Sequence, residues 1–371
     1  MAVKTLRVGA VAGVLAVVHS VVALPLAPAN TASALHAVSV ATASGEDALA
    51  ERQAPGDPGR VDAAFLDPYD VYDASSLRLE TMFAAQKSAG IGTVIYQWSG
   101  WMYDDRTVAT TYPAGVGTGY GHFDNSLPKV LAAAEKQDIE VWVGLLLRNE
   151  VFDSPATRSN APFLRQFQSE SIRLAADLFA KYGDRIAGWY IPAEPGDYSI
   201  SSPAVTQLHT RVLATISDGL HRISPHLPVM VSPAVPRAIF VGLSGVDFVS
   251  LLEPLIRGAG IDVWNLQVGF KMTAWSPADD VALIRRGQQI AVRHGATVWA
   301  DIYVPGPGRH AGDPPEPNFP TDPHAFLAEI RALASTSAPI AIWTFDDAMN
   351  PDPSRANATD RDALFSVYQS R

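Results

Sequence analysis

Ile186-Ala187-Gly188-Trp189-Tyr190-Ile191-Pro192-Ala193-Glu194-Pro195-Gly196-Asp197 reads as a short apolar strand running into a turn bracketed by prolines. Side chains alternate along a strand, so Tyr190, Pro192 and Glu194 share one face and Trp189, Ile191 and Ala193 the other. Glu194 then stands at the carboxyl end of a buried strand, where a barrel enzyme keeps a catalytic acid. A helix N-cap or a surface ion pair is the plainer role for the same carboxylate.

Working outward, seven more short apolar runs have the character of parallel strands covered on both faces. With this one they predict strands over 61–66, 91–98, 139–146, 186–191, 228–232, 261–267, 297–303 and 339–345. Helical patterns separate them at 76–88, 125–137, 162–182, 204–223, 277–294, 323–335 and 360–369, with a less regular stretch at 243–257. Strands and helices alternate without a break in composition, which implies a single (β/α)8 TIM barrel. An open doubly wound sheet usually carries a Gly-rich phosphate turn after its first strand, and here that strand ends in Leu66-Asp67-Pro68-Tyr69-Asp70. The alternating Gly115, Gly117, Gly119 and Gly121 lie inside a loop and suggest a flexible segment.

The beginning of the chain reads differently. Lys4 and Arg7 precede an almost wholly apolar run to Leu26, and Thr31-Ala32-Ser33-Ala34 offers a small-x-small cleavage site. That order predicts a secretory signal peptide over 1–34, with a retained membrane anchor as the alternative. Residues 35–59 have the composition of a disordered leader, leaving 60–371 for the barrel. The expected location is secreted or periplasmic, with no membrane association after cleavage.

The net charge is −10, and loss of Lys4 and Arg7 makes it −12. An acidic surface argues against nucleic acid or anionic lipid as a partner. There are no cysteines, which excludes a disulfide framework, thiolate zinc and a cysteine nucleophile. Nothing in the composition defines an oligomeric state.

Two βα loops are long, and loops of such length are uncommon unless functional. One, at 99–124 after strand two, carries Trp101, Tyr103, Tyr112, Tyr120 and His122. The other, at 304–322 after strand seven, is rich in proline and carries Arg309, His310 and Phe319. The carboxyl ends of the strands supply Asp67, Gln97, Trp98, Arg148, Asn149, Glu150, Glu194, Asn265, Gln267, Asp301, Tyr303, Trp343, Asp346 and Asp347. Amides, carboxylates and indoles suit a sugar, whose hydroxyls pair with polar groups and whose C–H faces stack on rings. A phosphate site would need clustered basic groups.

Cleaving a glycosidic bond takes two carboxyl groups. Glu194, following an apolar strand, is the expected general acid, with desolvation raising its pKa. The second group is Asp301, a strand-eight carboxylate (Asp346 or Asp347), or Asp67. Period two points Trp299, Asp301 and Tyr303 into the barrel and Val298, Ala300 and Ile302 toward the helices. Asp67 and Asp70 could equally cap a helix, and Asp346-Asp347 could be turn chemistry. Trp142, Trp264 and Trp299 fit the core, whereas Trp98, Trp101, Tyr190 and Trp343 are placed to stack on sugar rings. Gln97, Asn149, Asn265 and Gln267 are placed to bind hydroxyls. No cofactor is called for. The histidines are scattered without a His-Glu-x-x-His pair, and no Gly-x-Ser-x-Gly elbow is present. A metal-assisted hydrolase built on Asp67, Asp70 and Asp73 is the weakest alternative.

Four segments carry a resemblance. Ala64-Phe65-Leu66-Asp67, Ile139-Glu140-Val141-Trp142-Val143-Gly144-Leu145, Gly188-Trp189-Tyr190-Ile191-Pro192-Ala193-Glu194, and Phe345-x-x-Ala348-Met349-Asn350-Pro351 are similar to motifs of DUF4434. This is a family of bacterial barrel proteins grouped with the glycoside hydrolase TIM barrels. The resemblance implies that Glu194 occupies the family's acid position. It also implies a glutamate in strand seven where this chain has Tyr303, so that Asp301 or Tyr303 would replace a nucleophile. The implied function is a secreted hydrolase acting on a polysaccharide or oligosaccharide. The alternative is a non-catalytic carbohydrate-binding barrel that has lost its second carboxylate.

Overall fold

The structure, a computed structural model, describes residues 59–103, 108–148, 151–152, 157–234, 244–268, 276–305, 321–354 and 357–371. The expected signal peptide and leader, Asn149, Glu150 and most of the 304–322 loop lie outside the described residues.

Twelve strands are described: β1 Ala63–Leu66, β2 Thr93–Tyr96, β3 Gly100–Met102, β4 Val108–Thr110, β5 Gly121–His122, β6 Glu140–Gly144, β7 Leu146–Leu147, β8 Gly188–Ile191, β9 Val229–Val231, β10 Val263–Val268, β11 Thr297–Tyr303 and β12 Ile340–Trp343. Eight of them close a parallel barrel in the order β1-β12-β11-β10-β9-β8-β6-β2. These are the eight expected from the sequence, each within a few residues of its expected bounds. The seam is tied where Ala63 and Ala64 pair with Ala341 and Ile342, and where the Asp62 side chain accepts from Ile340 N at 2.8 Å.

Alternation divides the apolar residues into two layers. Ala63, Phe65, Ile95, Trp142, Tyr190, Met230, Val263, Trp299 and Ala341 fill the barrel interior. Their neighbours, among them Leu66, Val94, Val143, Trp189, Val231, Trp264, Leu266, Val298, Ala300 and Ile302, pack under the helices. Trp142 and Trp299 meet inside the barrel with ring centroids 5.6 Å apart. A Cβ at Gly188 would collide with the Trp142 indole, so the glycine makes room for that ring.

Helix Ser76–Ser88 has the bounds expected of it, because the Ser75 hydroxyl caps it by accepting from Arg78 N. The irregular stretch 243–257 resolves into two helices, Gly245–Leu251 and Glu253–Gly258. Pro254 sits in the first turn of the second, where a missing N–H is tolerated.

The loop after β2 is not a bare wall. It forms a small sheet, β5-β4-β3-β7, whose last strand comes from the segment after β6. Arg148 supports this sheet by donating to the carbonyls of Met102 and Tyr103 at 3.1 and 2.7 Å. The glycine-rich stretch is tied down at one end, since Gly115 N donates to Asp177 of helix Ala161–Tyr182 at 3.1 Å.

Candidate functional site

The carboxyl end of the barrel gathers the inward-facing polar residues. β11 places Asp301 on the inner side, two residues above Trp299, and leaves it 4% exposed. Its Oδ2 accepts from Ser232 Oγ at 3.1 Å, while the same hydroxyl lies 2.8 Å from the Asn265 carbonyl. Oδ1 of Asp301 is buried with no hydrogen-bond partner among the described residues. Burial pushes this carboxyl up to about 7 against the opposing pull of Ser232, and the charge of Glu194 adds to the rise.

Glu194 follows β8 by three residues, in the turn where the chain leaves the sheet, and its side chain is exposed. The turn is held by Ala193 N donating to Ile191 O at 2.8 Å and by Ala234 N donating to Pro195 O at 3.0 Å. Glu194 was expected to be desolvated, whereas it is exposed. Pro192 and Ala193 carry the chain out of the sheet before Glu194 is reached, so the desolvated group is Asp301 instead. The two carboxyl groups share the mouth, because the charge of each raises the Tyr190 phenol beyond what burial does.

Tyr190 itself is 2% exposed and packs edge-on against Phe65 at 5.3 Å, with Trp343 tilted on Phe65 at 5.2 Å. It forms the floor beneath the acids, with no face open for a sugar to stack on. Trp343 and Tyr303 pair in register at the rim and are partly exposed. Gln267 pairs with Asp301 and is partly exposed, whereas Asn265 is fully buried with its Oδ1 unpartnered among the described residues. Gln97, also partly exposed, has a buried Oε1 with no such partner.

Above β1 and β2 the plainer role of Asp67 applies. Its Oδ1 accepts from Tyr69 N at 3.0 Å, capping the helix Pro68–Val71, and from Trp98 Nε1 at 3.3 Å. Trp98 is fully buried, edge-on to Tyr69, Trp101 and Phe123 at 5.3–5.6 Å, so it supports other rings and cannot stack on a ligand. The open aromatic faces belong to its neighbours: Tyr69 at 38% exposure, Tyr103 at 53%, and the partly buried Trp101 between them.

Asp347, expected as a possible second carboxylate, is grouped elsewhere. It lies with Asp70 and Asp346, the ligand oxygens of the three falling within 4.8 Å of one another. Asp346 is ion-paired to Arg78 at 3.1 Å and accepts from Asn350 Nδ2 at 2.6 Å, so a guanidinium already supplies positive charge to this cluster. Asp73 is exposed and is not in the group.

Ser232 and Tyr69 were not singled out in the sequence. Ser232 follows the inward Met230 by two positions, so period two applied to that strand would have found it. Tyr69 gave no such signal, since its exposure depends on the short helix that Asp67 caps.

The chain belongs to the family described as "Domain of unknown function (DUF4434)", which matches residues 61–302. No curated protein sequence matches it. Solved structures share its fold. A Bacteroides thetaiotaomicron protein provisionally named an alpha-L-fucosidase superimposes with a TM-score of 0.64 at 17% identity, over 85% of this chain and 98% of the other. The endo-beta-1,4-mannanase from Thermotoga petrophila gives 0.55 at 12% identity, over 85% and 77%. A chitinase from Pseudoalteromonas aurantia gives 0.50 at 12%, over 82% and 98%.

Proposed function

We propose that this barrel hydrolyses a glycosidic bond in a polysaccharide or oligosaccharide, using Asp301 and Glu194 as its carboxyl pair. One observation carries the reading. A buried carboxyl that holds its proton to about pH 7 shares an aromatic-floored mouth with a solvent-facing carboxyl whose charge acts on it. Pairs of acids pushed apart in this way divide acid and base roles between them. Asp301, which keeps the proton, protonates the leaving oxygen, and Glu194 attacks the anomeric carbon or activates water. This reverses the roles expected from the sequence, for the reason that burial falls on Asp301. Gln97, Gln267, Tyr303 and Trp343 line the same rim and supply hydrogen bonds and stacking faces. The shelf of Tyr69, Trp101 and Tyr103 offers further ring faces for a substrate longer than one sugar. The names borne by proteins of similar fold are in keeping with this chemistry.

The test is a screen of soluble polysaccharides for reducing ends released by the protein, by Glu194→Gln and by Asp301→Asn. Release by the parent and its loss in both variants support the reading. Equal release by a variant removes that residue from the reaction. A second reading, carbohydrate binding without turnover, is favoured by the depth of Asp301, which a leaving oxygen must enter the barrel to touch. Retention on a polysaccharide column with no release would select it. Secretion follows as a further proposal from the apolar start of the chain. An N-terminus beginning near Leu35 in exported protein would support it, and a retained Met1 would refute it.

A further inference from the structure

His209 belongs to helix Pro203–Ile223, outside the barrel, yet it is fully buried and connects two loops of the mouth. Its Nε2 lies 2.6 Å from the carbonyl of Arg158, and its Nδ1 lies 3.0 Å from Ser199 Oγ. The ring is stacked on the buried Phe152 at 4.2 Å and 26°. Ser199 Oγ in turn lies 3.3 Å from Gly196 N, two residues after Glu194.

The protons in this chain can run only one way. A carbonyl oxygen accepts, so the hydrogen must be on Nε2, and Nδ1 is left as an acceptor. Ser199 therefore donates its hydroxyl to Nδ1, and its lone pairs receive Gly196 N–H. Burial, helped by the nearby Arg158 charge, lowers the imidazole to about 4 and keeps it neutral against the opposing pull of the Arg158 carbonyl. From the other side, Ala234 N donates to Pro195 O at 3.0 Å. The turn bearing Glu194 is thus clamped from the segment after β9 and from His209. The Arg158 guanidinium lies over the Tyr198 ring at 4.7 Å and adds a second tie between the same two loops.

We propose that His209 is a positioning residue for Glu194: through Ser199 it fixes the Pro195–Gly196 turn, and through Arg158 it anchors that turn to the loop after β6. This rests on the glycosidase reading, and its test separates the two. The probes are Ser199→Ala, which breaks the relay at its middle atom, and His209→Phe, which keeps a ring against Phe152 but removes both hydrogen bonds. Two-dimensional ¹H–¹⁵N NMR of the parent is expected to show a neutral His209 with its hydrogen on Nε2 down to about pH 4. Hydrogen exchange at the Gly196 amide should quicken about tenfold in both variants while the amides of β10 and β11 keep their protection. On a polysaccharide that the parent cleaves, kcat should fall on the order of tenfold or more with KM unchanged, since the Glu194 carboxylate is misplaced rather than removed.

A hydrogen on Nδ1, or Gly196 exchange that is the same in Ser199→Ala as in the parent, would overturn the proposal. Should the protein cleave nothing, the glycosidase reading falls, while tautomer and exchange still decide whether the relay holds the turn. Should His209→Phe unfold the helix layer, Ser199→Ala, which removes a single hydroxyl oxygen, decides the question alone.

Discussion

Asp301 with Glu194 and Asp280 with Glu329 are two pairs of carboxyl groups that act on each other, and they differ in what surrounds them. At the mouth, Asp301 is buried and Glu194 faces solvent. Between helices Pro277–Val292 and Pro323–Ala334, Asp280 and Glu329 are both buried and bonded to each other. Glu329 is pushed up to about 8 by burial first and by Asp280 second. The same physics acts in both: loss of water disfavours the anion, and a neighbouring negative charge disfavours it further. Only the mouth pair has a member that a ligand can reach. A raised pKa therefore marks a desolvated acid, and access decides whether that acid can do chemistry.

The contrast is broken most sharply by activity. Glu194→Gln and Asp301→Asn are each expected to lower kcat/KM by about a thousandfold or more, roughly 4 kcal/mol of barrier, while Glu329→Gln leaves it unchanged. Steady-state rates on whichever polysaccharide the parent cleaves check all three. A large loss in Glu329→Gln would erase the distinction between the two pairs.

Stability should put the pairs on the same footing. The folded-state pKa of Asp301 is raised from 3.8 to about 7, so the folded chain holds a proton the unfolded chain has released, and stability falls as pH rises between those values. For Glu329 the corresponding window runs from 4.5 to about 8. Melts of the parent should therefore decline from about pH 4 to about pH 8. Asp301→Asn and Glu329→Gln, which do not titrate, should each melt roughly 4 °C or more above the parent at pH 8. Asp301→Asn would then be a stabilised, inactive protein, the usual signature of a site whose burial serves function.

Gly188→Ala acts on the floor beneath the acids without touching either carboxyl. The added methyl meets the Trp142 indole, and a loss of about 1–3 kcal/mol in urea unfolding is expected. The smallest effect is the sharpest probe of Asp301 as the proton carrier. If it is the acid, the pH–rate profile falls as pH rises through about 7. Ser232→Ala removes the hydrogen bond that holds this pKa down, so the falling limb should move upward by about half a unit. A limb that rises through neutrality would give Asp301 the base role instead.

Much of the fold was legible because the barrel repeats one physical requirement. A parallel strand covered on both faces must be apolar on both, so each of the eight runs stood out, and period two assigned Trp299, Asp301 and Tyr303 to the interior. The helix at 76–88 was legible to the residue because Ser75 is a side chain that caps. The small sheet beside the mouth was not legible, since β3, β4, β5 and β7 are two or three residues long and pair across distant segments. Trp98 was misassigned for a related reason: its place at a strand end suggested an open ring, and Tyr69, Trp101 and Phe123 close over it.

The amino-acid order alone settled the alternation of strands and helices, the closed barrel, the inward placement of Asp301 and the position of Glu194 just beyond a strand. Those are consequences of spacing, which is written locally. Which carboxyl loses its water, which ring stays open and which aspartates gather around Arg78 depended on segments far apart in the chain. Solvation is a property of the assembled surface, so only the tertiary structure could decide it.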